Sequence, residues 1–290
     1  MSTRNAKILL FAVFAARGTS FLFSKTLMRD LSPTSILAVR FLLSFLILAL
    51  IFWQKLRSLS RGSLYGGIIL GVLYTASMIT EMYGLRLIDT GICSLIENMA
   101  IVLVPIYAAI LTGTMPQKKT MLCAAIAVIG VGFLSLAQRE VSGGGLGIFL
   151  AILTAMIYAG CIMATEKVSH HGDPLTIGIV QMGVMGVLSL ILSLCLREFE
   201  TPHTGQQWLF LLALVLICSC FGFAFQPVGQ KYLPAETAAV FTVVNPLTAS
   251  IMGITIAGEK LSAAKIIGYI LILGSLFLYN RNSSPSAEKS

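Results

Sequence analysis

Ten apolar segments fall into two groups of five, and the second group repeats the first. The clearest stretch sets Val104-Pro105-Ile106 through Leu136 beside Asn245-Pro246-Leu247 through Leu278, with Pro105 and Pro246 141 residues apart. Past the next loop, Met115 falls opposite Glu259 and Gly130 opposite Gly274, both at an offset of 144. Five is odd. A unit that crosses a bilayer five times starts its second copy from the opposite face, so the copies are inverted, a construction that secondary transporters use for alternating access. The predicted fold class is an all-α polytopic membrane protein of ten transmembrane helices, arranged as two inverted five-helix repeats. The first repeat covers residues 1–141 and the second 142–290, joined at Ser142-Gly143-Gly144-Gly145 and ending in a polar cytoplasmic tail from Asn280 that is expected to be disordered.

Composition leads to the same class. Of the 290 residues 57% are hydrophobic and 11% charged, with a mean hydropathy of +0.90, whereas soluble chains carry roughly 25% charged residues. Such a chain cannot clothe a soluble core. The expected spans are 8–23, 35–53, 64–85, 91–111, 120–137, 145–165, 174–196, 208–228, 237–257 and 263–279, most of them near the roughly 20 residues that cross about 30 Å of hydrocarbon. The first is expected to stay in the mature protein, because Arg17 interrupts its apolar run and nine spans follow.

Lys and Arg set the orientation. With the N-terminus cytoplasmic, the inner side holds Arg4, Lys7, Lys55, Arg57, Arg61, Lys118, Lys119, Lys167, Lys231, Arg281 and Lys289, eleven against seven outside. Both termini are therefore expected in the cytoplasm, in a bacterial cytoplasmic (inner) membrane. The net charge of +8 is accounted for by topology and anionic-lipid contact, so no nucleic-acid partner is expected. The six cysteines all lie in or beside apolar spans, and Cys218-Ser219-Cys220 lacks zinc-site spacing, so free thiols are expected. A monomer or a homodimer fits equally.

Gly229-Gln-Lys-Tyr-Leu-Pro-Ala-Glu-Thr-Ala-Ala, Asn245-Pro246, Ala257-Gly258-Glu259-Lys260-Leu261-Ser262 and Ile267-Gly268 through Leu273-Gly274 stand in the order and spacing of a known second repeat. Arg17-Gly18-Thr19-Ser20-Phe21, Ala38-Val39-Arg40-Phe41 and Tyr83-Gly84-Leu85-Arg86 with Pro105 supply the first. On these segments the chain resembles the drug/metabolite transporter superfamily, EamA-like branch, over nearly its whole length. The resemblance implies a carrier of amino acids, other metabolites, nucleotide-linked compounds or drugs. Three positions depart from the family pattern: Arg17 for an aromatic, Asn245 for an acidic residue, and Met115 for the first-repeat glutamate.

Charge in the interior is confined to the first repeat. Arg17 lies near the midplane, and Arg40, Glu81 and Glu97 fall in the middle or outer half of the membrane. A charge at the centre of a span costs about 2.5–3.5 kcal/mol on insertion scales, so such groups pair or face a cavity. The two arginines and two glutamates sum to zero and could form a neutral structural network; alternatively Arg17 and Glu97, on different helices, form a gate or coupling pair. Pro105 and Pro246 are expected to interrupt their helices at the repeat interface. Asn98, Tyr158, Gln181 and Asn245 complete the candidate substrate-binding or gating set, with Tyr74 and Tyr107 the other hydroxyls expected to point inward. The partners expected are a small-molecule substrate, a coupling proton or cation, and membrane lipids. No metal or organic cofactor is implied. The chain lacks a His-Glu-x-x-His helix, a Gly-x-Ser-x-Gly elbow and a glycine-rich phosphate loop, which argues against an intramembrane enzyme; a channel or sensor gives no reason for the inverted duplication.

Overall fold

The computed structural model describes residues 1–113, 118–137, 143–259 and 261–281. Met115, Ser142, the boundary between the two proposed repeats and the tail beyond Arg281 lie outside the described residues. Among those described there is no strand. The helices are α1 (Thr3–Gly18), α2 (Ser20–Leu27), α3 (Pro33–Ile51), α4 (Trp53–Arg57), α5 (Arg61–Leu87), α6 (Thr90–Glu97), α7 (Ala100–Thr112), α8 (Lys118–Ala137), α9 (Gly144–Ser169), α10 (Pro174–Cys195), α11 (Gly205–Ala213), a π-helical segment (Leu214–Phe223), α12 (Gln226–Gln230), α13 (Ala235–Phe241), α14 (Val244–Thr255) and α15 (Ala263–Arg281).

Among the described residues eight stretches are long and apolar enough to cross a bilayer: Thr3–Leu27, Pro33–Ile51, Arg61–Leu87, Thr90–Thr112, Gly144–Ser169, Pro174–Cys195, Gly205–Gln230 and Thr237–Thr255. α8 and α15 carry shorter apolar runs, Met121–Phe133 and Ala263–Ser275. Roughly half of each long span is buried, and the rest presents large apolar side chains such as Leu50, Leu111 and Ile191 outward. An apolar surface of that extent belongs in lipid.

The sequence marks where these helices begin. Ser2, Ser32, Ser60 and Thr204 accept from the backbone N–H three residues on, and Pro33 and Pro174 occupy first-turn positions. Asp173 caps α10 through Thr176 N (3.1 Å) and pairs with Lys55 (3.1 Å), tying α4 to the start of α10. Partial burial pushes the Asp173 carboxyl up, but hydrogen bonds from Thr176 and Lys55 outweigh it and leave the group below its ordinary value. Its stabilisation is therefore present above the unfolded carboxylate pKa and is lost as pH falls through the lower folded value. Asp173→Ala is expected to cost about 1 kcal/mol. Melting of wild type and variant across pH checks this: the gap should be widest near neutrality and close in acid.

The bundle is knitted between its halves. α5 packs on α9 and the π segment on α1; α10 packs on α5 and α3 on the π segment; α6 and α7 pack on α9 and α14 on α1. α3 with α10, α6 with α14 and α8 with α15 pair counterparts directly. Each of these contacts therefore maps onto another, or onto itself, when the halves are exchanged. Small residues permit the approach: a Cβ on Gly67 or Gly71 of α5 would lie 2.5 Å from the Cβ of Val180 or Val184 of α10.

Three spans are broken near mid-length. α1 gives way to α2 at Thr19, whose hydroxyl donates to Ala16 O (2.7 Å). α6 gives way to α7 at Asn98-Met99, and α13 to α14 at Thr242-Val243, each through tight i to i+3 bonds such as Ile101 N to Asn98 O (3.1 Å) and Asn245 N to Thr242 O (2.9 Å). The prolines follow these breaks. Pro105 lies inside α7, but Pro246 is the third residue of α14, where a missing N–H removes no intrahelical bond. The expected interruption by Pro246 is thus displaced to Thr242-Val243, just before α14 begins.

Candidate functional site

Arg17 is the penultimate residue of α1, two residues before the break at Thr19, and is 4% exposed. Its Nη1 donates to Tyr158 Oη (3.0 Å) and to Gln226 Oε1 (2.6 Å). Gln226 Nε2 donates to Tyr74 Oη (2.8 Å), which lies 3.4 Å from Thr165 Oγ1. The guanidinium also sits 4.0 Å from the Phe223 ring centroid and 5.1 Å from that of Tyr158, within cation–π range. The π segment supplies Phe223, and its Gly222 leaves room for the arginine stem: a Cβ there would lie 2.8 Å from Arg17 Cγ. A first-half cation is thus held at depth by second-half side chains.

Arg40 of α3 repeats the pattern beside it. Its Nε donates to Ser219 Oγ (2.7 Å), its guanidinium lies 5.7 Å from the Phe223 centroid, and its Nη2 is buried without a partner. Both arginines therefore share one aromatic ring of the π segment.

The buried carboxyls take a different arrangement from the Arg17–Glu97 pair expected from sequence. Glu81 of α5 and Glu97 at the end of α6 are 4% and 1% exposed, and Cys93, one turn before Glu97 on α6, has its Sγ 4.0 Å from Glu81 O, so the two acids belong to one buried patch and act on each other there. Ion pairs among the described residues are Lys25–Glu259, Lys55–Asp173 and Lys265–Asp89, so neither Glu81 nor Glu97 has one. Glu97 Oε2 has no hydrogen-bond partner. Arg17 acts on both carboxyls and Arg40 on Glu81 only through longer-range attraction. Arg17 is turned to the second half because Tyr158 and Gln226 offer it acceptors there.

Asn98 and Asn245 sit at the two broken helices, fully buried, each with an Oδ1 that lacks a donor; Asn98 Nδ2 donates to Ser94 O (2.8 Å). Asn245 lies against α1, where a Cβ on Gly18 would come 2.9 Å from its carbonyl oxygen. Pro105 and Pro246 flank these breaks without touching the arginine cluster's hydrogen bonds. Gln181 of α10 is buried and places its Nε2 3.9 Å from Met185 Sδ, apart from those bonds. Tyr107 donates to Met156 O (3.3 Å) on α9 and belongs to helix packing. Sequence reasoning passed over Gln226, Ser219 and Phe223. Gln226-Pro227 near the end of an apolar run was the available signal for the first.

One end of the bundle is clamped across the halves. Glu259 Oε1 accepts from Thr90 N (2.6 Å), its Oε2 from Gly91 N (3.4 Å), and Lys25 Nζ lies 4.0 Å away. Asp89, the N-cap residue of α6, makes no cap bond and instead pairs with Lys265. Glu259 therefore supplies the anion at this helix N-terminus from the other half. Beside the clamp is a cavity of about 730 Å³ lined by Lys25, Arg29, Arg86, Asp89, Glu259 and Lys265, four cations against two acids. Among the described residues no group of three or more His, Cys, Asp or Glu could hold a metal ion.

A model of the EamA-like transporter family matches residues 5–136 and again residues 145–281. The chain belongs to the EamA-like transporter family. It is similar to an uncharacterized transporter of Archaeoglobus fulgidus (24% identity over 177 residues, 60% of this chain and 62% of that protein). It also resembles the uncharacterized transporter YwfM of Bacillus subtilis (22% over 177 residues, 60% of this chain and 58% of that protein). A third relative is the uncharacterized inner membrane transporter YhbE of Escherichia coli (27% over 146 residues, 48% and 44%). The chain thus matches less than two thirds of each relative's length. One solved crystal structure superposes with a TM-score of 0.70 over 96% of this chain and 97% of that one, at 17% identity, which is a likeness of fold. This EamA-family chain is an integral membrane protein, and its relatives are named as transporters.

Proposed function

We propose that this protein is a secondary active carrier that moves a small polar metabolite, an amino acid or a related compound, or a drug, across the cytoplasmic membrane by alternating access. Ten spans form two inverted repeats, 1–141 and 142–290, with both termini cytoplasmic. The observation that carries this reading is the Arg17 cluster, in which a buried first-half cation is held by Tyr158, Gln226 and Phe223 of the second half. A contact of that kind opens when the halves rock, and its freed donors then meet water or a polar solute. Arg17 and Arg40 present cations to a substrate's anionic group, the amide and hydroxyls of Gln226, Tyr74 and Tyr158 read its polar atoms, and Glu81 and Glu97 face a cationic end. Asn98 and Asn245 add unpaired acceptors at the broken helices. The cationic mouth near Lys25 and Arg86 faces outward in this orientation and draws in solutes that carry a carboxylate.

The test is flux into proteoliposomes from a radiolabelled panel of amino acids, nucleosides and their derivatives. Saturable, counterflow-competent uptake of one class supports a carrier. Passive, non-saturating flux would make the protein a channel, and chemical conversion of a panel member would make it an enzyme.

A further inference from the structure

We propose that Glu81 and Glu97 together form the proton-binding site of this carrier, one proton held between the two carboxyls when the site is closed; this rests on the transporter reading above. Two carboxyls buried at 4% and 1% exposure in one patch, where α6 meets α5 through Cys93 and Glu81, cannot both stay ionised without a cation or donor beside them. Neither has an ion pair, and Glu97 Oε2 has no donor. A proton on one carboxyl turns an acceptor–acceptor contact into an O–H donating to a carboxylate oxygen, removes one of two adjacent negative charges and needs no further side chain.

The surroundings leave that role to the pair alone. α1 brings Arg17 and α3 brings Arg40, which act at a distance because Arg17 Nη1 is bonded to Tyr158 and Gln226 and Arg40 Nε to Ser219. α9 brings Tyr158 and Cys161, α6 brings Cys93, whose thiol lies 4.0 Å from Glu81 O, and α10 has no ionisable group beside Glu81. Lys25 of α2 and Glu259 are engaged with each other at the clamp, and α15 places Tyr269 at Gly91. When the halves open, water reaches the pair, the proton leaves to water as hydronium and both carboxylates are solvated. Closing without a proton would strand two adjacent anions in hydrocarbon. Protonation is thereby tied to the crossing step.

Infrared spectroscopy of the purified, lipid-embedded protein tests the site without requiring transport. At neutral pH the wild type should show a protonated-carboxyl C=O band that disappears on raising pH and is lost or shifted in Glu97→Gln and in Glu81→Gln. If the band is absent at neutral pH, or unchanged in both variants, the proposal falls while the carrier reading stands. Titration with Na⁺ at fixed pH separates the rival occupant: loss of the band on adding Na⁺ would make the pair a cation site and overturn the proton assignment. In proteoliposomes, substrate flux should carry protons, read by an entrapped pH dye, and Glu97→Gln should lose both that proton movement and accumulation driven by a pH gradient. Full gradient-driven accumulation by that variant would also overturn the proposal. Absence of any substrate flux in wild type, with the infrared band present, would sink the transporter reading and leave the protonated pair in place.

Discussion

Arg17→Ala is expected to lower saturable transport at least tenfold. Hydrogen bonds to a charged group contribute about 1.5–3 kcal/mol each, and every 1.4 kcal/mol is about a factor of ten in occupancy. Arg17 makes two from one nitrogen, to Tyr158 and Gln226, and stacks on Phe223. Removing it also leaves Gln226 Oε1 without its donor, so some loss of expression accompanies the loss of flux. Arg17→Lys separates the two effects: it keeps the charge, should restore folding, and should transport poorly because a compact, strongly hydrated ammonium cannot stack on Phe223 as the planar guanidinium does. Double-mutant cycles then report the geometry. Coupling of Arg17 with Gln226 should exceed coupling with Glu97, and Glu97→Gln should not rescue Arg17→Ala. A larger coupling to Glu97 would restore the direct pair that the sequence alone had indicated.

The second large effect is at the clamp. Glu259→Ala removes the acceptor for Thr90 N and Gly91 N and the partner of Lys25 in one step. Its first-half counterpart in the sequence repeat, Met115, carries no carboxylate. Loss of Glu259 should shift the population toward the state open at the Lys25 end. A bias of about 1.4 kcal/mol would raise thiol modification of buried Cys218 by a membrane-impermeant reagent about tenfold. The reagent is applied to right-side-out and to inverted vesicles. Unchanged modification from both sides would mean that the clamp contributes nothing to closure.

How much of this was legible beforehand depended on the type of signal. Spans were readable because hydrocarbon demands long apolar runs: the expected 64–85 and 145–165 fall inside α5 and α9, and 174–196 overruns α10 only by its C-cap residue, Leu196. The deep charges were readable for the same reason in reverse: Arg17, Arg40, Glu81 and Glu97 stand out against apolar neighbours, and all four are buried. Which of them touch was not readable. Opposite charges on neighbouring helices suggest a pair, but helix rotation decides it, and the π segment and Gly222 rotate Phe223 and Gln226 toward Arg17 while Glu97 turns to Glu81. Gln226 escaped notice because it falls at the fraying end of an apolar run. Glu259 lies just past the expected 237–257 span, and nothing in the sequence marked that it reaches back to the N-terminus of α6. Pro246 marked the ninth span correctly but not the position of its break, since a proline in a first turn begins a helix without interrupting one.

The central claim is that the Arg17 cluster between the halves is where a transported molecule sits. Cys218 is a native reporter for it, buried on the π segment with its Sγ 3.3 Å from Thr19 Oγ1 beside the break in α1. In a variant lacking the exposed Cys195, the rate of Cys218 modification by a small polar thiol reagent is measured with and without a transported substrate. Saturating substrate should slow modification of Cys218, and Arg17→Lys should weaken this protection in proportion to its loss of transport. A substrate that saturates transport yet leaves Cys218 reacting at its unliganded rate would contradict the claim.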